Sequence, residues 1–148
     1  MDSIFNGIEF LKIENGNTGA RRPRLMKNEI SLSSKDKNGI FRVLRFSPLL
    51  NEEIEECDTA KIARNNFTGD IFIVLFKDGS GDVPLNIEGK SKGSSYTYKT
   101  IQRTGFIITL CKALNITNSG KRLTLKISDN LSNDPRYCTF KVASREPL

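Results

Sequence analysis

The sequence predicts a β-rich α+β fold in which two diverged strand-helix-hairpin repeats pack as an internal pseudo-dimer within one globular unit, 1–148. Three observations carry this. Residues 40–46 form a strand-like run that passes through Ser47-Pro48 into the apolar and acidic segment 49–54, then into a hairpin with arms 60–63 and 70–76. Residues 96–99 lead in the same way into a helical pattern ending near Asn115, followed by hairpin arms 122–127 and 137–142. Between them, 89–95 is a Gly/Ser/Lys connector, so 1–88 is the first repeat with an N-terminal extension and 96–148 the second.

Taken in order, 7–13 alternates imperfectly and reads as a strand, and 15–20 is a polar, glycine-rich turn or loop. It delivers Arg21-Arg22-Pro23-Arg24, where proline keeps the run extended and the guanidinium groups on display. Residues 29–33 alternate with period two and pair through the turn 36–39 with the strand at 40–46. In that strand Phe41, Val43 and Arg45 share one face and Arg42, Leu44 and Phe46 the other, so both faces are expected to meet protein. Ser47 as cap, Pro48 at the first helical position, and Glu52 and Glu53 near the positive end of the dipole predict a short helix.

The next turn is 66–70, followed by 71–76, apolar enough for a central strand, the breaker 77–82 and a further strand at 83–87. The best helix spans 100–115, with Ile101, Ile107, Leu110, Cys111 and Leu114 on one stripe. Gly105 counts against it, because an interior glycine costs about 1 kcal/mol relative to alanine. The last hairpin turns through 128–135.

A composition of 37% hydrophobic residues supports a core. No apolar run approaches the roughly 18 residues of a membrane span, and the first residues lack signal-peptide character, so a cytoplasmic protein without membrane contact is expected. Cys57, Cys111 and Cys138 are odd in number and lack CxxC spacing, which argues against a disulfide framework or a zinc site and for packing roles at Cys111 and Cys138. Histidine is absent, which removes the commonest general base near neutral pH and the commonest zinc ligand. Residues 78–82 lack the EF-hand ligand series, and Gly89-Lys90-Ser91 lacks the earlier glycine of a phosphate-binding loop, position 84 being proline. Glu52, Glu53, Glu55 and Glu56 read as an acidic surface. No catalytic residue, metal ligand or cofactor is predicted.

The net charge of +6 is segregated along the chain: +4 over 1–50, −5 over 51–85 and +7 over 86–148. A basic surface of this kind attracts polyanions, with an acidic patch limiting where they land. Arg21, Arg22 and Arg24 suit phosphates or a narrow minor groove, and Arg42 and Arg45 are candidates held by the sheet, since guanidinium engages phosphate or guanine through paired hydrogen bonds. Tyr96 and Tyr98 raise base stacking on a single strand as a narrower reading.

The run 110–125, with its leucine-rich helix, the pair Gly120-Lys121 and the following strand, resembles the helix, turn and strand of AbrB-like swapped-hairpin transcription regulators. The run 46–54, from Phe46-Ser47-Pro48 to Glu53-Ile54, is similar to that family's strand-to-helix junction; the two runs span 25 of the 148 residues, and the resemblance is taken to extend over the units around them, about half the chain. Residues 55–59 depart from the pattern in lacking a glycine turn. The resemblance implies a DNA-binding β-rich core with basic residues beside the strand before the helix: Arg42 and Arg45 in the first repeat, Lys99 and Arg103 in the second. The expected function is non-catalytic nucleic-acid binding, with duplex DNA regulation leading. The alternative is a protein-interaction or assembly module whose acidic and basic surfaces meet complementary partners.

Overall fold

Residues 71–76 alternate between buried and half-buried along their whole length, which sets a strand with one face in the core. In the computed structural model, which describes residues 25–35, 39–88 and 97–143, this is β4 (Ile71–Phe76). The other elements are β1 (Glu29–Ser33), β2 (Val43–Phe46), β3 (Thr59–Arg64), β5 (Val83–Pro84), β6 (Asn86–Glu88), β7 (Tyr98–Ile101), α1 (Thr104–Leu114), β8 (Arg122–Lys126) and β9 (Tyr137–Val142). The fold is β-rich α+β: two antiparallel sheets, ordered β6-β7-β2-β1-β8 and β5-β3-β4-β9, and one α-helix among the described residues.

The sheets face each other across one core and meet along both edges. Ile30, Leu44 and Phe46 from the first sheet and Ile73, Leu75 and Phe140 from the second are fully buried, with Phe46 and Phe140 6.4 Å apart between ring centres. At one seam β5 passes into β6 through Leu85, whose N–H donates to Asp58 O at 2.8 Å. At the other, Ile127 just after β8 bridges Val142 of β9. The strands thus form a closed, barrel-like circuit.

Its two ends are covered differently. β2 and β7 are antiparallel neighbours, and each runs straight into a covering segment, so these lie at opposite ends. After β2 comes a 3-10 turn, Pro48–Leu50, capped by Ser47, whose Oγ accepts from Leu49 N–H at 3.1 Å and donates to Leu25 O at 2.9 Å. Leu50 and Ile54 bury there. After β7 comes α1, which buries Phe106, Ile107, Leu110, Cys111 and Leu114 and ends at Asn115 in the left-handed conformation, φ 57°.

Three expectations change. The final hairpin does not form as such: β8 pairs along its length with β1 and β9 with β4, and the two meet only where the sheets join. Their connection folds on itself instead, Asn130 Oδ1 accepting from Ser132 N–H and Thr139 N–H, each at 2.9 Å. The helix starts at Thr104, not near 100, because Thr100 and Ile101 extend β7 and are fully buried there. Gly105 is therefore in the first helical turn, where its cost is slight. The short helix after Ser47-Pro48 is a 3-10 turn continued as turns to 56. The strand expected at 7–13 and the connector 89–95 lie outside the described residues.

Candidate nucleic-acid interface

The end covered by α1 is built by three segments tied together through their backbones. Arg42 N–H donates to Ser33 O at 2.8 Å and Phe41 N–H to Asn118 O at 2.9 Å, and Ser33 lies opposite both Val43 and Arg122. Gly120, at φ +135°, adopts a conformation that side chains resist. Its N–H reaches Gly39 O at 3.1 Å and its carbonyl accepts from Ser34 Oγ at 2.7 Å. This turn delivers Lys121 and Arg122 beside Lys35 and Arg42.

Strand direction puts further cations at the same end: Arg64 at the close of β3, Arg103 at the start of α1 and Lys112 in its last turn. All seven are exposed, and none forms an ion pair with a described acid. Among the described residues the acids here, Asp70 and Asp82, face Lys141 at 3.4 Å and Lys61 at 4.0 Å. The opposite end carries Glu52, Glu53, Glu55, Glu56 and Asp58. The molecule is polarised along its barrel.

Clefts flank α1 on this surface. One of about 530 Å³ is lined by Phe41, Leu114, Ile116 and Arg122, and another of about 290 Å³ by Asp70, Ala113, Leu114 and Lys141. Leu114 belongs to both, so they run on either side of the helix's last turn. A third, about 490 Å³, borders Arg103 and Thr109.

The predicted residues divide. Arg42 and Arg103 are exposed at this end, each two residues beyond the paired Leu44 and Ile101. Arg103 occupies the N-cap of α1 without a side-chain capping bond, where a short acceptor is preferred and the helix dipole disfavours a cation. Arg45 instead lies across the outer face of the first sheet, donating to both Glu88 carboxylate oxygens and, at 2.6 Å, to Ser33 Oγ. Lys99 donates to Glu55 O at 2.6 Å and Cys57 O at 2.8 Å, and burial pulls its pKa below the ordinary value. Both are structural contacts: a sheet strand holds each cation against protein acceptors. Tyr98 is half-buried opposite Glu88, away from this end. Arg21, Arg22, Arg24 and Tyr96 lie outside the described residues.

Sequence reasoning missed Lys35, Arg64, Lys112, Lys121 and Arg122. The Gly120-Lys121-Arg122 run was the available signal, since a basic pair directly after a turn glycine starts a strand exposed. The cysteines are buried. The thiol hydrogen bond to Cys138, then burial, raises the Cys57 pKa, and burial alone raises that of Cys111. Among the described residues no group of acidic or cysteine side chains is placed to hold a metal ion, and no helix is long and apolar enough to cross a membrane. No family model, curated protein or solved structure matches this chain.

Proposed function

We propose that this chain is a non-catalytic nucleic-acid-binding protein, a regulator acting on duplex DNA, and that the α1 end of the barrel is its binding face. One observation carries the reading: seven exposed cations without an ion-pair partner among the described residues collect at one end while the acidic cluster sits at the other. Phosphate contacts by such cations release counterions and supply sequence-independent affinity. Fluorescence-anisotropy titration against labelled duplex at low and near-physiological salt tests it. Tight, steeply salt-dependent binding is expected, and the R42A/K121A/R122A variant should lose about 0.9 in salt slope for each phosphate contact removed. Equal binding by both proteins, or none at low salt, would overturn it.

The same polarity supports a second reading, an assembly module in which the acidic end of one molecule meets a basic partner surface. Light scattering at low salt separates the two, since that reading expects association that grows with concentration and ignores DNA.

We also propose that the barrel consists of two diverged copies packed about an internal twofold. The support is the pairing scheme. Match β1 with β5 and β6 together, β2 with β7, β3 with β8 and β4 with β9. The pair β1·β2 then corresponds to β6·β7, β1·β8 to β5·β3, and β3·β4 to the bridge joining β8 and β9, while β2·β7 and β4·β9 each map onto themselves. On this reading the copies meet at the turn 77–82, upstream of 89–95, because β5 and β6 serve the second copy as β1 serves the first.

A further inference from the structure

The tip of the β3–β4 hairpin projects from the same end of the barrel and carries Phe67, whose surface is 100% exposed. The tip is held by its own hydrogen bonds. Asn65 Oδ1 accepts from Phe67 N–H at 2.9 Å and Thr68 N–H at 3.2 Å, Asn65 N–H donates to Asp70 O at 2.9 Å, and Gly69 takes φ +81° to close the turn. A phenyl ring on an ordered apex, with Arg64 exposed at its base, meets water on every side and contributes nothing to the core. Among the described residues Phe67 is the sole exposed aromatic; Phe72, Phe76, Tyr98 and Tyr137 are half-buried. A single-strand platform stacks successive bases on several rings, whereas one apolar side chain on a narrow β-ribbon beside cations suits insertion between two base pairs of a duplex.

Resting on the duplex-DNA reading above, we infer that Phe67 is a wedge that inserts at a base step and kinks the DNA, with Arg64 on the adjoining phosphate. Unstacking is easiest where the helix is already weakened. A duplex carrying one central mismatch should therefore bind more tightly than its fully paired counterpart.

The test measures affinity of the full chain and of its F67A and F67L variants for both duplexes by anisotropy, and bending by energy transfer between end labels. The wild type should prefer the mismatched duplex by about tenfold and bend the paired one. F67A should bind the two equally and leave the DNA straight while keeping the wild-type salt slope, and F67L should retain most of the preference. All variants should melt at the wild-type temperature because the ring packs against nothing. A preference unchanged in F67A, or none in the wild type, overturns the wedge while leaving the basic face intact. Binding of neither duplex at low salt overturns both.

Discussion

Arg103 is the residue at which local stability and the proposed function pull apart. A cation at a helix N-cap leaves the first N–H groups without a side-chain acceptor and opposes the dipole. Arg103→Asp should therefore stabilise the fold by about 1 kcal/mol in chemical denaturation, yet weaken duplex binding. If both fall together, Arg103 is structural and its place in the interface is lost. Lys99 should behave in the opposite way. Lys99→Met removes the donor that satisfies Glu55 O and Cys57 O and should cost roughly 1.5–3 kcal/mol with DNA affinity unchanged. Loss of affinity with stability intact would return Lys99 to the binding face. The contrast explains what was legible at the site. Sequence identifies a cation on or next to a strand, but whether it meets phosphate or its own protein depends on contacts 42 to 44 residues away, as with Lys99 and Cys57 or Glu55.

At the scale of elements, β1, β3, β4 and β9 were located within a residue or so: β1 by its period-two alternation, β4 by its apolar run, and β3 and β9 as arms following the helical segments; β4 and β9 each bury every second side chain, whereas β3 buries only Ala60 fully. Pairing was less legible. β8 and β9 follow one another like hairpin arms, but β8 is taken by β1 and β9 by β4, a choice made by long-range packing. The β1–β8 contact has a charged clasp whose titration can be followed. Glu29 accepts from Met26 N–H and from Lys126 Nζ, each at 2.9 Å, and the backbone bond, then the ammonium, holds its carboxyl below the usual carboxylate range. A carboxyl depressed in the folded state contributes stability in full above its unfolded value near 4.5, and that contribution is lost as pH falls through the lower folded value. Glu29→Gln should thus flatten the fall of stability below pH 4.5. Denaturant midpoints across this range check it, and identical acid slopes in the two proteins would remove Glu29 from the clasp.

For the whole molecule, the proposed internal twofold makes a demanding prediction. In the closed circuit, β7 meets β2, β9 meets β4, β5 meets β3 and β8 meets β1. A fragment of residues 77–148 loses all four partners and exposes as many sheet edges, which leaves a lone chain without a closed core. If β2, β3, β4 and β1 are diverged counterparts of β7, β8, β9 and the β5–β6 strand, a second fragment can replace them: β7 pairs with its own copy, β9 with its own copy, and each β5 with the other fragment's β8. That circuit closes with the same antiparallel sense and places an α1 helix over each end, where the intact chain has one helix and one 3-10 turn. The fragment should therefore form a dimer by light scattering with cooperative unfolding that depends on concentration. Because both ends would then carry Lys112, Lys121 and Arg122, the dimer should also bind duplex DNA at two faces. A fragment that stays monomeric or unfolded at high concentration counts against duplication, and would mean that the matching of strand pairs follows from barrel closure alone.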